Sequence, residues 1–263
     1  MKIIALSVLC TDYFPEQKKT ICGGNSLNFA VHSKNMNIQE VAIAGFIGND
    51  AEGDKVFELL KSREINTELL FRKKGRTASN RIYNSPEGER YSRQGDWQSG
   101  VYNAFEFPEE HFASIMQYDL IAIPYGDKNL DRVIKRNKTG QKIVTDFLHH
   151  DTDNLISRYL PYIEIAFVSA REHNLEKLKQ LAFTRNKLIV ATLGANGSIA
   201  FYDGKEYFQP ALKVDEVVDT TGCGDAYQAA FSVTYFQEHD IREAMYQGAL
   251  IASGVLKDHG GVA

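Results

Sequence analysis

Asp219-Thr220-Thr221-Gly222-Cys223-Gly224-Asp225-Ala226-Tyr227-Gln228 is the stretch on which the reading of this chain turns. Two glycines precede an acidic residue where a loop can tighten into the first turn of a helix. Residues Ala226 to Phe236 are mostly apolar, as a buried or half-buried helix requires. Gly222 and Gly224 add no side-chain bulk, so the backbone can come close to a ligand. Free N–H groups at such a helix start hold an anion such as a transferring phosphoryl group. Asp225 then stands beside that anion, placed to take a proton from an attacking hydroxyl. That is the economy of a phosphotransfer site.

Working outward, Gly23-Gly24-Asn25-Ser26-Leu27-Asn28-Phe29-Ala30 supplies the acceptor side. Paired glycines permit a sharp reversal, and Asn25 and Asn28 offer donors and acceptors to a polyol. Taken alone the stretch is equally well a glycine turn with an Asn cap. Asp12, just upstream, is placed to accept two sugar hydroxyls or to serve as an ordinary turn residue. Thr192-Leu193-Gly194-Ala195-Asn196-Gly197 follows the expected strand Leu188–Thr192. It is either a simple turn or a loop that lets nucleotide phosphates or ribose lie against backbone. Phosphoryl transfer also needs a divalent cation to screen the phosphates, held through carboxylates and water. Glu172, after Phe167-Val168-Ser169, is the best-placed acid, although a carboxylate at a helix start is expected there without any metal. Asp219 either binds a cation or braces its loop by accepting backbone N–H groups.

Composition narrows the classes. Lys plus Arg number 30 against 34 Asp plus Glu in 263 residues. The densest basic run, Arg72-Lys73-Lys74-Gly75-Arg76, reads as a solvated turn before a strand and has too few aromatics around it for a nucleic-acid surface. Cys10, Cys22 and Cys223 form no disulfide framework. No leader pattern or bilayer-length apolar run occurs, so the expected protein is reduced, soluble and cytoplasmic, with no membrane partner. Phosphate-loop, zincin, hydrolase-elbow and dinucleotide signatures are absent from the sequence. His149-His150 beside Asp151 and Asp153 mimics a zinc cluster but reads more simply as a polar loop. Cys223 lies in a helix N-terminal field expected to lower its pKa, which raises a thiol hydrolase as a distant alternative.

Short aliphatic runs at Lys2–Leu9, Gln39–Phe46, Leu120–Ile123, Lys142–Asp146, Ile163–Val168 and Leu188–Thr192 read as strands of a parallel sheet covered on both faces. Helices are expected at Ser26–Lys34, Asp54–Lys61, Pro108–Met116, Leu155–Tyr159, Glu172–Phe183, Asp225–Tyr235 and Ile241–Leu256. The alternation predicts an open α/β sheet. Cys10–Cys22 reads as strand material outside that sheet. Thr77–Arg93 reads as a hairpin turning at Pro86-Glu87-Gly88. Together they predict a small antiparallel layer over the ligand end of the sheet. Ser198–Tyr202 and Lys205–Phe208, joined by Asp203-Gly204, form a second hairpin.

These motifs together resemble the ribokinase-like (PfkB) family of carbohydrate kinases over nearly the whole chain. Gly23 to Ala30 is similar to the family's N-terminal signature. Gly45-Phe46-Ile47-Gly48-Asn49-Asp50-Ala51-Glu52-Gly53 is similar to its Gly-x-x-Gly-x-Asp-x-x-Gly segment, and Asp219 to Asp225 to its C-terminal signature. The resemblance implies one domain over residues 1–263: a ribokinase-like three-layer α/β/α sandwich with a mostly parallel central sheet. A small β lid would be built from roughly residues 10–22 and 75–95. It implies ATP and Mg2+ as cofactors, with a monovalent cation as a further candidate. Asp225 would be the general base, with an anion hole from the N–H groups of Thr221 to Gly224, including Gly222 and Cys223. Thr192, Gly194, Gly197 and Thr221 would line the nucleotide, and Glu172 would reach Mg2+ through water. Gly23, Gly24, Asp12, Asn28, Tyr91, Arg93 and Asp96 would face the acceptor, and the lid would join a homodimer. Three departures stand out: Cys223 for alanine, Ser7 for a glycine ending the first strand, and Ser169 for the asparagine of an Asn-x-x-Glu motif. Ser169, Cys10 to Pro15 and the compact tail His259-Gly260-Gly261 resemble the fructoselysine 6-kinase branch, whose acceptor is a sugar joined to an amino acid through its amine. A kinase for another ketohexose, ribose or a nucleoside is the alternative within the class. A non-catalytic sugar- or nucleotide-sensing protein is the alternative outside it.

Overall fold

The computed structural model describes residues 1–150 and 153–262. In chain order its strands are β1 (Lys2–Leu6), β2 (Cys10–Phe14), β3 (Lys19–Gly23), β4 (Glu40–Gly48), β5 (Asn66–Lys73), β6 (Ala78–Arg81) and β7 (Tyr83–Asn84). They continue with β8 (Arg90–Tyr91), β9 (Leu120–Ala122), β10 (Lys142–Asp146), β11 (Ile165–Ser169), β12 (Leu188–Thr192), β13 (Ser198–Tyr202) and β14 (Lys205–Gln209). The helices are α1 (Asn25–Asn35), α2 (Ala51–Ser62), α3 (Phe112–Ile115), α4 (Leu130–Arg136), α5 (Asp153–Tyr159), α6 (Leu175–Arg185), α7 (Cys223–Glu238) and α8 (Ile241–Val255).

Nine strands form the central sheet in the order β14-β13-β12-β11-β10-β9-β1-β4-β5. From β12 to β5 every pairing is parallel; β13 alone runs against the rest, antiparallel to both β12 and β14. Both faces of the parallel strands are apolar because both are covered. Ile3 and Ala5 of β1 join a core with Leu27 and Phe29 of α1, Val56 of α2, Phe231 of α7 and Met245 of α8. Ile4 and Leu6 point the other way, into a core with Phe112, Val133, Ile156 and Leu178 from α3 to α6. The result is the expected α/β/α sandwich. Parallel strands carry their carboxyl ends to one edge, so Asp146, Ser169 and Thr192 finish side by side there.

The lid differs from expectation. β2 pairs antiparallel with β3 but parallel with β6, giving a mixed sheet instead of a wholly antiparallel layer. The hairpin within Thr77–Arg93 is confined to β7 and β8, with Gly88 at its turn on a positive φ of 82°. The Gly45–Gly53 motif anchors this lid. Asp50 caps α2 by accepting from the Gly53 amide (3.0 Å), and also accepts from the Thr77 amide (2.9 Å) and hydroxyl (2.6 Å). Partial burial opposes its ionisation, but the Thr77 and Gly53 bonds outweigh that and hold its carboxyl below the usual range.

Other boundaries moved for local reasons. β1 stops at Leu6 because Ser7 adopts φ 146°, a conformation that favours glycine. The Ser7 hydroxyl meets the Tyr102 hydroxyl at 3.0 Å, and Tyr102 in turn donates to Asp127. β5 and α4 were not expected. Arg72 and Lys73 belong to edge strand β5 and not to a solvated turn: Arg72 pairs with Asp54 (2.8 Å) and Lys73 lies over the Phe46 ring. Only Phe112–Ile115 of the expected Pro108–Met116 helix is α-helical, after a 3-10 turn.

Candidate active site

Asp225 sits in the first turn of α7, and the loop before it turns on Gly222 at φ 79°. That φ requires glycine, and so does the packing, because a Cβ there would collide with Gly261. Both carboxylate oxygens of Asp225 are held from α1: Asn25 Nδ2 donates at 3.2 Å and Asn28 Nδ2 at 2.8 Å. α1 can enter at this angle because Gly24, φ 103°, caps it where a side chain would strike the Val8 carbonyl. Burial, then the charge of Asp146, push the Asp225 carboxyl up to about 7 against the lowering pull of Asn28, Arg90 and Asn25. A carboxylate so placed is a usable base near neutral pH.

The expected anion hole narrows. The Thr221 amide already donates to Asp219 at 3.0 Å, and the Cys223 amide to the Thr220 carbonyl at 3.3 Å. Among the described residues the Gly222 and Gly224 amides make no backbone bond, and of the two Gly224 is the exposed one. A Cβ on Gly224 would meet nothing nearer than Gln228 Nε2 at 4.0 Å, so the approach is open.

Of the two roles open for Asp219, the structure shows the brace. Oδ1 of this fully buried side chain accepts from the Thr221 amide, the Thr221 hydroxyl (2.8 Å) and Asn84 Nδ2 (2.7 Å), while Oδ2 accepts from the Gly260 amide (2.8 Å). Hairpin, loop and C-terminal segment meet at this one carboxylate.

Asp12 projects from β2 toward Gly23, where any Cβ would collide with its carboxylate. It is buried, and that burial pushes it up to about 6, opposed by Arg90 and reinforced by Asp219. Tyr91 and Arg93 are less central than expected. Tyr91 is exposed and stacks on Tyr83, and the Arg93 guanidinium lies over the same Tyr83 ring at 4.2 Å. Asp96 caps the Arg93 amide at 2.6 Å. Arg90, not among the expected residues, is the cation whose charge reaches Asp12, Cys223 and Asp225. Its only sequence signal was its place in the hairpin.

Thr192, Gly194 and Gly197 lie in the tight β12–β13 loop, where Leu193 donates to the Gly197 carbonyl at 2.8 Å. Gly194 faces open space, whereas Gly197 packs against the end of β14. Ser198 ties this loop to α7 through the Tyr227 hydroxyl at 2.8 Å. Glu172 opens a 3-10 turn ahead of α6, exposed, three residues past the strand end at Ser169.

Cys223 is not an activated thiol: burial and the neighbouring Asp219 and Asp225 carboxylates push it up to about 12. The suggested zinc cluster includes Asp151 and the Asp153 side chain, which lie outside the described residues, as does Ala263. No group of metal-binding side chains occurs among the described ones. No helix among them is long and apolar enough to cross a membrane.

With this geometry in hand, residues 15–263 match the model of the pfkB family carbohydrate kinases. The chain belongs to that family. This pfkB kinase is thus an ATP-dependent carbohydrate kinase. It is 28% identical over 254 residues to a fructoselysine 6-kinase of Shigella flexneri, covering 95% of each chain. It is 27% identical to a fructosamine kinase of Bacillus subtilis (strain 168), over 96% of this chain and 90% of that one. Among solved structures, an Arabidopsis thaliana ribokinase with ribose and ATP superposes with a TM-score of 0.81. It shares 20% identity over 99% of this chain and 94% of that one. A nucleoside kinase of Methanocaldococcus jannaschii gives 0.79 at 19% identity, over 100% of this chain and 94% of the other. At those identities the superpositions speak for the fold.

Proposed function

We propose that this pfkB kinase phosphorylates a primary hydroxyl of a sugar–amine conjugate of the fructoselysine type, with Asp225 as general base. The observation that carries the reading is the Asp225 carboxylate, fixed by Asn25 and Asn28 beside the exposed Gly224. MgATP, when bound, supplies the phosphoryl group and the screening of its charge. The chain's residues fit such a ligand: the glycine-turned mouth of α7 offers amides to phosphate, and Gly194 faces space beside Thr192. Gly197 shapes that loop, and Glu172, exposed at the strand ends, is in position to reach a hydrated cation.

Asp225 accepts the acceptor's hydroxyl proton while the two asparagines hold its orientation, and much of the barrier reduction comes from alignment. Asp12, buried against Gly23 and within the field of Arg90, is the wall for the sugar's other hydroxyls. Resemblance to the fructoselysine and fructosamine kinases supports the acceptor class. The lid is also the expected homodimer contact, which sedimentation velocity checks.

The test is ATP-dependent product formation with fructoselysine, free fructose, ribose and adenosine. Fructoselysine is expected to give the highest kcat/KM. A preference for any of the others reassigns the acceptor, and no transfer to any of them favours a sensing role.

A further inference from the structure

Two carboxylates face the cavity behind the mouth of α7. Asp146 ends β10, Asp225 opens α7, and both line a cavity of about 20 Å³, room for roughly one water. Phe29, Val144 and Phe167 make its apolar wall. Gln228, one turn along α7 from Asp225, lines the same cavity as Asp146 and favours its ionised form. Ser26, whose buried hydroxyl has no partner among the described residues, lines the same space. The transfer described above uses neither Asp146 nor Gln228.

An ordinary carboxylate is a weak base for an alcohol. Two carboxylates facing one apolar-walled cavity resist being ionised together, because each charge raises the cost of the other. We propose that Asp146, which shares this cavity with Gln228 and Asp225, is a positioning residue whose charge makes Asp225 a stronger proton acceptor in the transfer. The proposal rests on the phosphotransfer reading. In the step it serves, the hydroxyl O–H breaks and its proton goes to Asp225. The freed oxygen pair bonds phosphorus as the bond to the departing nucleoside diphosphate breaks. The proton leaves Asp225 for solvent once the product has gone.

The other charged or titratable groups around the pair are few. Arg90 on β8 favours the ionised form of Asp225, and His149, after β10, favours that of Asp146. Cys10 on β2 and Cys223 on α7 stay neutral, because burial raises both thiols. Asn25 and Asn28, from α1, carry no charge. Asp12 on β2 and Asp219 ahead of α7 are further carboxylates near this site, and Asp146 is the carboxylate whose charge raises Asp225.

The test compares Asp146→Asn and Gln228→Met with the parent by two readouts. One is the acid-limb midpoint of kcat/KM; the other is a carboxyl-carbon NMR titration of Asp225 without nucleotide. Asp146→Asn keeps the shape and removes the charge, so both midpoints should fall by about one pH unit. Gln228→Met frees Asp146 to take up a proton and should move both midpoints the same way by less. An unmoved midpoint in both variants overturns the proposal. So does a loss of turnover that is uniform across pH, or a changed requirement for divalent cation at a constant midpoint. Should the parent phosphorylate nothing, the functional reading fails while the NMR titration still decides the coupling.

Discussion

Asp225 carries two opposite consequences at the scale of one residue. As the base, its replacement in Asp225→Asn should lower turnover by about 10²–10⁴-fold while nucleotide binding, followed by calorimetry, stays close to parental. The same change should stabilise the protein at alkaline pH. A carboxyl whose folded pKa, about 7 here, lies above its unfolded value binds its proton more tightly when folded. Ionisation then costs stability, increasingly from about pH 4 upward and fully above the folded value. Asp225→Asn should therefore raise Tm by a few degrees at pH 8 and give no gain below about pH 4. Asp225, Asn28 and the glycine turn were legible in the sequence because their chemistry is local: spacing, φ and helix position decide it. The Cys223 thiol was misread for the complementary reason. A helix start argues for a lowered pKa, but burial, which only the fold decides, and then the adjacent Asp219 and Asp225 carboxylates argue for the reverse, and they win.

At the scale of elements, the Asp50–Thr77 contact welds the start of α2 to the strand that follows it into the lid. Asp50→Ala removes a cap and two further acceptor contacts, so it should cost about 1–2 kcal/mol in urea denaturation. Because this carboxyl is held below its usual range, the stability it adds is present at neutral pH. That stability is lost as pH falls through the folded value, so the penalty should shrink in acid. Limited proteolysis should show earlier cleavage near residues 74–100 in the variant. The central strands were readable because both-face burial writes a continuous apolar run into each. The lid was only half readable: its segments were recognised, but the parallel β2–β6 pairing is a long-range choice that no local pattern encodes. β5 was missed because an edge strand with Arg72 and Lys73 reads as a charged turn.

For the molecule as a whole, Asp219 is the joint. Its partners, Asn84 and Gly260, lie far apart in the chain, which is why the sequence left its role open between cation and brace. Asp219→Ala strands buried donors from three segments and should cost about 3 kcal/mol or more, at roughly 1 kcal/mol for each orphaned group. Turnover and the urea midpoint should fall together, since the α7 mouth and the lid hairpin are held by the same group.

That joint also sets an order of events during synthesis. Domains acquire structure while the chain is still emerging, yet here the glycine turn before α7 is clamped from behind by residues near 260. A ribosome-bound chain lacking them can complete most of the sandwich and still lack a finished catalytic mouth. The growing polypeptide would stay silent toward ATP until that stretch clears the exit tunnel.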